Sequence, residues 1–131
     1  MACNELGRVT RSFVSGYFRA RVHVGTVRRQ EKRCVVADLN GAIPTDRTIA
    51  SVTWRATNPW SMFMSDPTID GREARVMVDF QNSGCGALKA TATLDNGEIY
   101  NQLFEFTVRD APWFDEPFSM SIGPYSVTVI A

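Results

Sequence analysis

Alternation of apolar and polar residues is the dominant pattern along this chain. Phe18, Ala20, Val22 and Val24 fall on one side of an extended segment, with Arg19, Arg21 and His23 on the other. The same period recurs over 72–81, where Val76, Val78 and Phe80 alternate with Arg75, Met77 and Asp79. It returns in Leu88, Ala90, Ala92 and Leu94, set apart by Lys89, Thr91 and Thr93. Residues 48–56 (TIASVTWRA) are rich in β-branched side chains and place Val52 and Trp54 on one side. They read as a central strand with Trp54 in the core. No segment fits a helical period better than a strand.

Turn-forming clusters separate these runs. Residues 38–44 (DLNGAIP) end the short apolar stretch Cys34-Val35-Val36-Ala37, Asn58-Pro59 turns the chain, and Asp66-Pro67 closes the apolar piece 60–64. Residues 82–86 read as a loop. The strongest local signal is Asn96-Gly97, which predicts a two-residue type I′ hairpin joining 88–94 to the strand 99–109, with Phe104, Phe106 and Val108 inward. This spacing predicts an all-β sandwich over 17–110. Residues 1–16 read as an extended or mobile N-terminal arm. Residues 111–131 read as a Pro-containing C-terminal extension whose last residues form one more strand if a sheet edge receives it.

With 131 residues, 44% of them hydrophobic and 21% charged, the chain suffices for one core and lies far from the composition of disorder. Its first residues lack a basic stretch followed by an apolar run, and no apolar run is long enough to span a bilayer. The expectation is a chain made in the cytoplasm, with no membrane partner. Cys3, Cys34 and Cys85 are odd in number and form no C-x-x-C pair, which predicts reduced thiols and neither a disulfide framework nor a zinc site.

Charge is balanced overall but not along the chain. Residues 1–33 hold eight Lys or Arg against two Glu, and the remainder is acidic by the same margin. Such asymmetry suggests that Arg8, Arg11, Arg19, Arg21, Arg28 and Arg29 meet an acidic partner, whether protein or nucleic acid, or else lie solvated. Trp60, Trp113, Phe114 and Phe118 stand near prolines and are candidate contact residues, because aromatic rings bring large area at low entropy cost.

Catalytic chemistry finds no foothold. His23 is the only histidine, and no nucleophile motif accompanies it. Asp66, Asp70 and Glu73 lack the spacing of a calcium loop, and Gly84 and Gly86 are followed by no phosphate-binding lysine. The sequence predicts a binding protein that is not an enzyme and has no cofactor, metal or catalytic residue.

Over about 34–109 the chain resembles the immunoglobulin-like domains of small virion proteins of tailed bacteriophages, the fibre-to-tail adaptors among them. Residues 46–54 (DRTIASVTW), the strand and hairpin of 87–97, and 103–109 carry the resemblance. It implies an immunoglobulin-like β-sandwich and a structural role in the virion, joining neck, tail or fibre proteins in several symmetric copies. A host-surface carbohydrate-binding or adhesin-like module, a capsid decoration protein and a nucleic-acid-binding accessory are the alternatives.

Overall fold

A computed structural model describes residues 9–13, 22–110 and 120–131. Nine strands follow one another: β1 (Val9–Phe13), β2 (Val22–Arg28), β3 (Lys32–Asp38), β4 (Ile49–Ala56), β5 (Met62–Asp70), β6 (Glu73–Phe80), β7 (Gly84–Leu94), β8 (Ile99–Arg109) and β9 (Ser126–Ile130). They form a four-stranded sheet in the order β1-β3-β6-β5 and a five-stranded sheet in the order β2-β8-β7-β4-β9. The all-β sandwich expected from the alternation is the fold of the chain.

The core follows the period-2 pattern. Val52 and Trp54 of β4 and Phe104 of β8 are fully buried, and so are Val76, Val78 and Phe80 of β6. Rings pack within and across the layers: Trp54 lies 5.9 Å from Phe104 of the same sheet by ring centroids, and Phe80 lies edge-on to Phe106 at 5.2 Å across the two sheets. In β3 the run Cys34 to Ala37 is buried on both faces, with Cys34 and Val36 forming a small second cluster. Cys34 is disulfide-bonded, which corrects the expectation of a reduced thiol. Spacing along a chain does not report which cysteines a fold brings together. Cys85 carries a free, exposed thiol, and Cys3 lies outside the described residues.

Three further expectations need correction. Val9–Phe13, read as part of an extended or mobile arm, is a strand parallel to β3 in the register Val9↔Cys34 to Phe13↔Asp38. The Arg11 guanidinium fastens it, 2.8 Å from the Asp38 carboxylate and also bonded to Glu73. Asp66-Pro67 does not end β5. The strand passes through it as a bulge between Ser65 and Thr68, where Asp66 takes a positive φ and Pro67 needs no ladder partner. The Asn96-Gly97 hairpin is where it was expected, but only Gly97 has a positive φ. The Gly97 N–H bonds Leu94 O and the Leu94 N–H bonds Glu98 O, so the connection is a three-residue loop with Gly97 at its left-handed position.

Arg11 and Arg75 hold the Glu73 carboxyl below its usual value of 4.5, against the opposing effect of burial. Folding therefore favours the ionised form. That stabilisation is complete above 4.5 and is lost as pH falls through the lower folded-state value. Thermal midpoints measured on acidification should drop more steeply for the wild type than for Glu73→Gln, and parallel slopes would contradict the assignment. Trp54→Ala empties the centre of the core and should cost about 3–5 kcal/mol in chemical denaturation. A loss below about 1 kcal/mol would show that Trp54 is not central.

Candidate functional site: the loop end of the sandwich

The two ends of the sandwich are built differently. At one end Leu39 and Ile43 fold inward as a buried plug beside two tight hairpins. At the other end the connections 29–31, 57–61 and 81–83 come together with Asp110, which follows β8. This second end is where polar side chains are drawn in between connections, with Arg29, Ser61 and Asn82 buried there.

Its connections are tied to one another by side-chain amides and hydroxyls. Asn58 donates from Nδ2 to Ser61 Oγ at 3.0 Å and to the Cys85 carbonyl at 3.2 Å. The buried Asn82 donates to the Trp60 carbonyl at 2.7 Å, and the Gln81 N–H donates to Ser61 O at 2.9 Å. The Ala87 N–H reaches Thr57 Oγ1 at 2.8 Å, and the Gly123 N–H caps Pro59 O at 2.8 Å. Each bond satisfies a group that would otherwise need water, so the loops behave as one pre-formed edge.

Two glycines make this approach possible. A Cβ at Gly84 would stand 2.9 Å from Ser61 Oγ, and one at Gly86 would stand 2.8 Å from Asn58 Cβ and press on Met62. Between them Cys85 projects outward, its Sγ 3.8 Å from Thr107 Oγ1. A cavity of about 310 Å³ lies beside it, lined by residues that include Thr57, Gly86, Glu105 and Phe106. A second hollow of about 490 Å³ lies on the other flank, among Thr26, Val27, Arg28, Glu31, Arg109 and Asp110.

The candidate contact residues are only partly brought together. Trp60 is half-buried on the loop edge, and Arg28 is exposed at the rim of the second hollow. Arg29 is 7% exposed, its Nε on Gln81 O at 3.1 Å and a terminal nitrogen 3.4 Å from Asp110, so it braces the loop end from within. Arg11 sits at a sheet edge with Asp38 and Glu73. Arg8, Arg19, Arg21, Trp113, Phe114 and Phe118 lie outside the described residues. Sequence reasoning passed over Asn58, Ser61 and Asn82; the signal that could have found them is Gly84 and Gly86 flanking Cys85, a sign of close backbone approach. Among the described residues, no group of three or more His, Cys, Asp or Glu is placed to hold a metal ion. The carboxylates of Asp70 and Glu73 turn to Arg75.

No protein-family model matches the chain, and no curated protein matches it. Among solved structures it is similar to PbICP-C, solved in complex with falcipain-2, with a TM-score of 0.53 at 9% identity over 79% of this chain and 100% of that one. It is also similar to the cysteine protease inhibitor EhICP2 from Entamoeba histolytica, with a TM-score of 0.44 at 10% identity over 77% and 97%. A third is the solution structure of Amebosin, with a TM-score of 0.35 at 8% identity over 66% and 98%.

The likeness to PbICP-C shows an immunoglobulin-like sandwich, and it overturns the reading of the chain as a tailed-phage virion protein. The solved structure whose whole length this chain matches is a protein in complex with falcipain-2, not a neck, tail or fibre component, and the decoration and adhesin alternatives find no support in it. The resemblance misled because a Ser-Val-Thr-Trp strand and a late Asn-Gly hairpin are features of the sandwich itself, and one sandwich hosts many functions.

Gly86→Ala tests whether the loop end is built on close approach. Met62 can swing aside, but Asn58 Cβ cannot. The substitution should cost about 1–3 kcal/mol in stability by overpacking and shift the NMR amide signals of 57–61. An unchanged melting curve with unchanged amide signals would show that the loops are not held by this contact.

Proposed function

We propose that the chain is a binding protein that blocks a cysteine protease by seating its loop end in the protease cleft, performing no chemistry itself. The observation that carries this reading is the fold match to PbICP-C, whose whole length is covered and whose structure contains falcipain-2. The build of the loop end supports it. An enzyme's active site is concave, and a projecting edge of tied loops is the complementary shape. Loops fixed beforehand by Asn58, Ser61 and Asn82 lose little freedom on docking, which removes a large part of the cost of association. Trp60 supplies an aromatic anchor on that edge.

Inhibition titrations test this directly. Falcipain-2 and other cysteine proteases of similar cleft should lose peptide hydrolysis in proportion to added chain and recover it on dilution, while serine proteases keep theirs. Trp60→Ala should fold as the wild type does and weaken inhibition by more than about tenfold, a change of about 2 kcal/mol. Full protease activity across such a panel at excess chain would overturn the reading.

A further inference from the structure

Among the described residues, the sheet edges at β5 and β9 are not alike. The edge at β5 carries the bulge between Ser65 and Thr68, the left-handed Asp66, Pro67 and the exposed Asp70. Bulges, prolines and charges of this kind keep a second strand from pairing. The edge at β9 has none of them: Ser126-Val127-Thr128-Val129-Ile130 holds no charge and no proline and runs in unbroken register with β4.

The register also says which backbone groups of β9 are free. The Ala56 N–H donates to Tyr125 O at 2.8 Å, and the Ala131 N–H donates to Ala50 O at 2.9 Å. In an antiparallel pair such residues alternate. The main-chain groups of Tyr125, Val127, Val129 and Ala131 therefore point at β4, and those of Ser126, Thr128 and Ile130 point away from the sheet. The hydroxyls of Thr53 and Thr128, 3.0 Å apart, agree with this phase, since side chains come closest in pairs that exchange no main-chain bonds. Ser126, Thr128 and Ile130 are all exposed, Ile130 by 78%.

We propose that β9 of a second copy of this chain pairs antiparallel with this edge, about a two-fold axis through Thr128, making one continuous sheet from two. In that register Ser126 faces the partner's Ile130 and Thr128 faces the partner's Thr128. Each outward N–H and C=O of the three residues then meets its complement. A second copy suits the edge because the strand is its own counterpart: no charge stands on it to be repelled by its image across the axis. On the outer face, the row in which Thr91 bonds Asn101 at 2.8 Å and Thr53 bonds Thr128 runs up to the axis and would continue into its own image. β9 begins beside Ala56 at the loop end and ends at the opposite pole, so the pairing leaves both loop ends free and pointing apart. The pairing does not depend on what the loop end binds.

Sedimentation velocity of the full chain over a concentration series tests it. Thr128→Pro removes an outward N–H and the hydroxyl contact with Thr53, and leaves the main-chain bonds from β9 to β4 intact. Thr128→Lys sets two ammonium groups against each other at the axis and decides the matter if the proline loosens the fold. The wild type should pass from monomer to dimer as concentration rises. The variants should stay monomeric over the same range, with thermal unfolding close to that of the wild type. A wild type that remains monomeric throughout, or well-folded variants that dimerise as it does, would overturn the proposal.

Discussion

The edge-on contact of Phe80 with Phe106 is the point from which the loop end is built. It joins the last residue of β6 in one sheet to the middle of the β8 core face in the other, at 5.2 Å between ring centroids. Phe106 is stacked parallel to Phe104 at 6.5 Å, and Phe104 lies beside Trp54, so four rings run from one sheet through the core of the other. Aromatic pairs in such offset and edge-on arrangements add to the area they bury. The backbone of Phe80 also exchanges hydrogen bonds with the 29–31 turn, through Glu31 O and the Gln30 N–H. The spacing between the sheets is therefore fixed where the connections leave them.

From that fixed base the loops have little freedom. Gln81 leaves Phe80 and bonds Ser61, Asn82 holds Trp60, and Gly84 and Gly86 let the start of β7 lie against Asn58. Arg29 fills the space behind them, between Gln81 O and Asp110. Residues 120–131 cross the outside, bonding Pro59 through Gly123 and Ala56 through Tyr125 before pairing with β4. The order of the strands, the aromatic bridge and the loop edge thus form one chain of cause, running from burial of rings to the posture of polar loops.

Much of this was legible in the residues, and what was not had physical reasons. Trp54 and the runs 88–94 and 99–109 showed their faces because each has one wet side and one dry side. β5 was hidden by Asp66-Pro67, since a bulge uses the same residues that end a strand. The first strand was hidden because a five-residue edge strand declares itself only through its partner, here β3 and the Asp38 and Glu73 that take Arg11. The arginine-rich first third suggested a charged arm, yet Arg11 and Arg29 are held by neighbours far away in sequence. At the loop end no single residue is unusual; Asn58, Ser61 and Asn82 acquire their roles only when three connections meet.

Under the proposed function, this pre-tied end is the surface that meets a protease. Amide hydrogen exchange of the chain, alone and with an excess of falcipain-2, tests it most directly. Added protection is expected over 57–61 and 81–86, with no change at the Asn96-Gly97 hairpin or the 39–47 connection at the opposite end. Protection confined to that opposite end, or absent everywhere while the protease is bound, would contradict it.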